Sequence, residues 1–209
     1  MSQQTEMTSA THMKYLLYLP DTEASDNGFP LMLFLHGSGE RGDDLELVKT
    51  HGPPSFLDDT TDFPFIVASP QCPSGETWNP ILLIELINEL SGIAFVDTNR
   101  IYVTGLSMGG RGTWDLAMAA PERLAAIAPV CASSNTARAF VIKDIPCWVF
   151  HGAEDKVVPC LNSDNMVDAL KLAGADVKYT KYPDVGHDSW TPTYSNPELY
   201  EWMLMQKRK

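Results

Sequence analysis

The chain has 209 residues, 44% apolar and 20% charged, a balance that fits one globular domain and excludes disordered, collagen-like and coiled-coil classes. Against 15 basic side chains stand 27 acidic ones, and the resulting formal charge of −12 repels phosphate backbones and anionic membrane faces, so neither nucleic acid nor a membrane is an expected partner. No apolar run approaches the roughly 18 residues of a spanning helix, and Met1 to His12 lacks the basic and apolar regions of a secretory leader, which makes a cytoplasmic location the default expectation.

Taken in chain order, residues 1–13 are expected to be a disordered start and 14–209 a single domain. Tyr15 to Leu19 reads as a strand closed by Pro20, followed by a turn-rich stretch from Asp21 to Pro30. The continuous apolar run Leu31 to Leu35, bounded by Pro30 and Gly37, is the pattern of a strand buried on both faces of a parallel sheet, and Phe65 to Ala68 is a second. Ile81 to Ile93 reads as a helix packed on that sheet, Ile101 to Thr104 as a strand, and Gly112 to Ala120 as a helix stopped by Pro121. Ile145 to Phe150 and Val177 to Tyr182 are further strands, and Asp164 to Ala173 and Pro197 to Gln206 further helices. This alternation predicts an α/β architecture: a mostly parallel central sheet covered by helices on both faces, with chemistry placed in loops at the carboxyl ends of the strands.

Gly105-Leu106-Ser107-Met108-Gly109 stands directly between a predicted strand and a predicted helix. In that context G-x-S-x-G is a sharp turn on which only small residues fit beside the serine, so that its hydroxyl projects above the sheet as a nucleophile. The plainer reading is that Ser107 caps the following helix. A serine hydroxyl is a weak nucleophile at neutral pH and requires a base, itself oriented by a third group. Downstream, Asp155 follows the strand Ile145 to Phe150 and His187 follows Val177 to Tyr182, giving the order Ser, Asp, His. Glu154 and Asp184 are alternatives for the acid. Of the other histidines, His12 lies in the polar start, His51 in a helix-like segment, and His36 and His151 each precede a glycine at a strand end, where an imidazole more often holds a loop.

His36-Gly37-Ser38-Gly39-Glu40-Arg41-Gly42 follows the strand Leu31 to Leu35, at the loop that contributes one oxyanion-hole amide in hydrolases of this architecture; the backbone N–H groups of Ser38 and Met108 are the expected pair. Trp78 and Trp190 are candidate substrate-binding aromatics, with core packing as the equal alternative. No metal-ligand spacing such as H-E-x-x-H is present, so no metal site and no cofactor are expected. Cys72, Cys131, Cys147 and Cys160 lie far apart without C-x-x-C spacing and read as reduced structural thiols.

Taken together, His36-Gly-Ser-Gly-Glu-Arg-Gly, Gly105-Leu-Ser-Met-Gly-Gly, His151-Gly-Ala-Glu-Asp and Gly186-His187-Asp-Ser-Trp190 resemble the α/β-hydrolase carboxylesterases related to dienelactone hydrolases, phospholipase/carboxylesterases and predicted peptidases, over nearly the whole chain from about Tyr15. The resemblance implies an α/β-hydrolase fold and an esterase acting through an acyl-enzyme, with Ser107, Asp155 and His187 as its triad. Dienelactone hydrolases use a cysteine nucleophile, and the serine at 107 departs from them. With no long insertion to serve as a lid, the expected substrate is a small-molecule short-chain or aryl ester. A thioesterase, lysophospholipase or peptidase would use the same residues, and a binding protein that kept the fold is the reading of another class.

Overall fold

The computed structural model of the chain describes residues 4–60, 62–93 and 95–208. Eight strands form one sheet: β1 (Thr5–Thr8), β2 (Lys14–Tyr18), β3 (Phe29–Leu35), β4 (Ile66–Pro70), β5 (Val96–Leu106), β6 (Ala126–Val130), β7 (Cys147–Gly152) and β8 (Val177–Tyr182). Their spatial order is β1-β2-β4-β3-β5-β6-β7-β8. β1 and β2 run antiparallel to their neighbours, and every pairing from β4 across to β8 is parallel. With helices on both faces, this order is the α/β-hydrolase fold.

Side-chain alternation along the central strands divides the core. From β3, Leu31, Leu33 and Leu35 enter a cluster with Leu83, Leu86 and Leu90 of α1 (Pro80–Ile93), Trp114 of α2 (Met108–Ala119) and Met166 of α3 (Leu161–Leu172). Met32 and Phe34 enter the opposite cluster with Tyr194 of α4 (Trp190–Tyr194) and Leu199 and Met203 of α5 (Pro197–Met205). Leu31 to Leu35 are fully buried, as a strand covered on both faces requires.

Among the strands, two were absent from the sequence reading. Within the start expected to be disordered, Thr5–Thr8 forms β1, paired in register from Thr5↔Leu17 to Thr8↔Lys14. The polar composition of that segment suits an edge strand half open to water, which the sequence cannot distinguish from a loop. Met1 to Gln3 lie outside the described residues. β6 is the second: its alanines and Pro129 carry weak strand signal, yet it lies centrally, paired with β5 from Tyr102↔Ala126 to Leu106↔Val130. Among the described residues, no helix is long and apolar enough to cross a membrane.

Candidate active site

β5 ends at Leu106 and α2 begins at Met108, so Ser107 alone makes the turn between them. Its backbone takes φ 52° and ψ −111°, a left-handed conformation that costs a serine about 1–3 kcal/mol and persists only when its surroundings enforce it. Two contacts do so. A Cβ at Gly105 would meet Gly109 and the Leu35 carbonyl at 2.6 Å, and one at Gly109 would overlap the Leu35 carbonyl outright, so only glycine lets the end of β3 and the start of α2 touch. Backbone bonds from the Ser107 N–H to Val130 O (3.0 Å) and from the Arg111 N–H to Ser107 O (3.0 Å) fix the serine from both sides. No side-chain cap bond is made, so the cap reading of Ser107 does not hold.

The partly exposed Ser107 hydroxyl lies 3.0 Å from His187 Nε2, and His187 Nδ1 lies 2.7 Å from Asp155 Oδ2. A carboxylate only accepts, so Nδ1 carries the proton and Nε2 is left as the acceptor for the serine hydroxyl. Asp155, whose side chain is buried, also receives the N–H groups of Val157 (2.8 Å) and Val158 (2.9 Å) at Oδ1. Burial by itself would raise this carboxyl. The hydrogen bond from His187, the two amides and the His187 charge outweigh it and hold Asp155 below its ordinary range. Glu154 and Asp184, the alternatives for this position, are exposed and take no part.

His151 forms a layer behind Asp155. Fully buried, it donates from Nε2 to Val158 O (2.9 Å) and to Asp155 Oδ2 (3.2 Å), and its Nδ1 accepts from the Ser163 hydroxyl (2.7 Å). His36 is likewise buried and likewise holds a loop: Nδ1 donates to Gly37 O (2.5 Å) and Nε2 accepts from the Cys72 N–H (3.0 Å). Burial pushes the His36 pKa down to about 4, with the Arg41 charge adding to the drop and the Gly37 bond opposing it.

The two amides expected at the oxyanion hole occupy equivalent places. Leu35 of β3 pairs with Gly105 of β5, and Ser38 and Met108 each lie three residues beyond that rung. The Met108 N–H opens α2, in the turn where helix amides have no intrahelical acceptor. The Ser38 carbonyl accepts from Arg41 Nε (3.0 Å), whose Nη1 reaches Glu76 O (3.1 Å). The loop is thereby tied to the one that follows β4.

The two tryptophans separate. Trp190 sets its ring edge-on to His187, with centroids 5.2 Å apart, and lies 5.3 Å from the ring of His51. Trp78 is buried, 6% exposed, and gives its indole N–H to His36 O (3.1 Å), which suits the core-packing alternative.

Cys131, read from the sequence as a reduced structural thiol, lies beside Asp155 and His187. It lies one residue beyond β6 as Ser107 lies one beyond β5, and it too has a left-handed backbone, φ 43°. Its thiol is within 4.8 Å of donor atoms of both Asp155 and His187. Burial pushes this thiol up to about 12, against lowering contacts from the Ser107 amide and the Ser189 hydroxyl, so it is protonated at neutral pH and does not rival Ser107 as a nucleophile. All four cysteines are free and buried.

Similarity to known proteins follows the same lines. A bifunctional acetylxylan esterase/xylanase of Neocallimastix patriciarum is 26% identical over 201 residues, spanning 89% of this chain and 27% of that protein. Acyl-protein thioesterase 1 of Gibberella zeae is 38% identical over 47 residues, 22% of this chain and 20% of its own. Among solved structures, that of a thermostable esterase superimposes with a TM-score of 0.84 at 35% identity, over 99% of this chain and 63% of the other. The chain therefore spans less than two thirds of the length of each of these relatives. The family model described as phospholipase/carboxylesterase matches residues 81–195, more than half of the 209, a stretch that holds Ser107, Asp155 and His187, and the chain belongs to that family.

Proposed function

We propose that the chain is a serine carboxylesterase acting on short-chain or aryl esters. The observation that carries this reading is the hydrogen-bonded chain Asp155–His187–Ser107, its serine held on a strained turn. In the first half-reaction Ser107 Oγ attacks the ester carbonyl while its proton passes to His187 Nε2, and the alcohol leaves with that proton. In the second, water gives a proton to His187 as it attacks the acyl-enzyme, and the acid departs as Ser107 is reprotonated. Asp155 fixes the tautomer that makes Nε2 the base and stabilises the imidazolium. The amides of Ser38 and Met108 receive the oxyanion; losing one such donor elsewhere costs about 10²–10³-fold.

Two observations support the substrate class. The rings of Trp190 and His51 form an aromatic wall beside His187. A relative matched over 89% of this chain carries acetylxylan esterase/xylanase in its name, and an acetyl group is a short acyl chain. Hydrolysis of p-nitrophenyl esters from acetate to long acyl chains, by wild type and Ser107→Ala in parallel, tests the proposal. Activity greatest on short chains and abolished in the variant is the expected result. Equal activity in both proteins, or none in either across esters, thioesters and peptides, refutes it.

A further inference from the structure

We propose that Cys131, Asp155 and His187 together form an inhibitory site for a thiophilic divalent cation of the zinc or cadmium class, embedded in the proposed triad and built on that reading of it. The three residues come from the loops after β6, β7 and β8, and their donor atoms all lie within 4.8 Å of one another. Around a tetrahedral zinc, with bonds of about 2.0–2.3 Å, ligand atoms sit roughly 3.4–3.6 Å apart. The thiol therefore closes by an ångström or so, while the 2.7 Å contact between His187 and Asp155 opens by a similar amount. Thiolate, imidazole and carboxylate are the donor set such ions prefer.

A second observation marks the same place. Ser189 is fully buried, its hydroxyl has no oxygen or nitrogen partner, and it faces the Cys131 thiol. A buried hydroxyl left in that state is uncommon, and it offers a fourth, weaker donor. Entry is by way of His187, whose side chain is 18% exposed and is the ligand nearest to water.

Binding and catalysis exclude each other on this geometry. The ion forms a bond to Cys131 Sγ, whose proton goes to solvent, and a bond to the His187 imidazole. Taken through Nδ1, that second bond requires the proton shared with Asp155 to move to Nε2, which then no longer accepts from Ser107; taken through Nε2, it displaces the Ser107 hydroxyl. Either way the base is lost. As with any thiol ligand, binding releases a proton, so the ion competes with protons for Cys131 Sγ.

Cadmium titration of the full chain, read by the thiolate-to-cadmium charge-transfer absorbance in the near ultraviolet, needs no substrate. One equivalent of absorbance is expected in wild type and in Cys160→Ser, and its loss in Cys131→Ser and Cys131→Ala, whose folding is checked by thermal melts. In a parallel assay, zinc is expected to inhibit ester hydrolysis reversibly, a chelator to restore it, and Cys131→Ser to require at least tenfold more zinc. Absence of the band in wild type, its persistence in both Cys131 variants, or equal zinc sensitivity in wild type and Cys131→Ser overturns the proposal. A Cys131-dependent band in a protein that hydrolyses no ester upholds the site and removes the esterase reading instead.

Discussion

His151 and His187 share one carboxylate oxygen, Asp155 Oδ2, yet their surroundings differ in the way that decides what an imidazole does. His151 has no exposed surface, and both nitrogens are spent on fixed partners: Ser163 on one side, Val158 and Asp155 on the other. His187 is partly open, and its second nitrogen faces a hydroxyl at the mouth of the turn. A base must be reached by substrate and water; a strut is sealed from both. Each ring donates to Asp155 and accepts at its other nitrogen from a serine hydroxyl, Ser163 or Ser107, so the distinction lies in exposure and in which serine stands on the strained turn.

The sharpest way to break the comparison is to remove each ring. His187→Ala, like Ser107→Ala, is expected to lower kcat/KM on a short ester by about 10⁴-fold or more while leaving the melting temperature within a few degrees. His36 extends the contrast to pH. Its folded pKa of about 4 lies below the ordinary value of 6.5, so the unfolded chain takes up a proton first and stability falls as pH drops through that window, by about 3 kcal/mol. Denaturant melts at pH 7 and pH 4.5 should show this loss in wild type and a flatter profile in His36→Gln; identical slopes would show that the buried ring is not the source. His151→Ala strands Asp155, Ser163 and Val158 in the interior and is expected to cost about 2 kcal/mol of stability, with activity reduced far less than in His187→Ala. A folded His151→Ala as inactive as His187→Ala would erase the distinction between strut and base. The smallest effect concerns the open side: Trp190→Ala should raise KM for aryl esters about 3- to 10-fold with alkyl acetates less affected.

Much of the site was legible because each of its residues follows a strand that announces itself. The runs Leu31 to Leu35, Ile101 to Thr104, Ile145 to Phe150 and Val177 to Tyr182 place Ser38, Ser107, Asp155 and His187 at strand ends, and glycines beside Ser107 mark the turn. Cys131 was read only as a structural thiol for the converse reason: β6, built of alanines and a proline, carries no such signal, so nothing placed a residue at its end beside the site. For Trp78 the sequence left substrate contact and core packing open, because nearness in a loop does not say which way a ring points, and here an indole N–H finds the His36 carbonyl inside. The pairing of His151 with Asp155 spans only four residues, but its meaning depends on Ser163 and Val158 closing the other sides. β1 was lost to composition, since a polar edge strand and a polar tail read alike.

The serine and histidine stand 80 residues apart in sequence, and the histidine and aspartate 32. Three strand ends must be brought to one side of the sheet before those atoms meet, so no fragment shorter than β5 to α4 assembles the site. Contacts of such long sequence separation close late in folding, after local helices have formed. On the proposed function, then, esterase activity during refolding is expected to return behind secondary structure, and to count only those molecules in which the β5–β8 half of the sheet has paired and the loop after β3 has joined it.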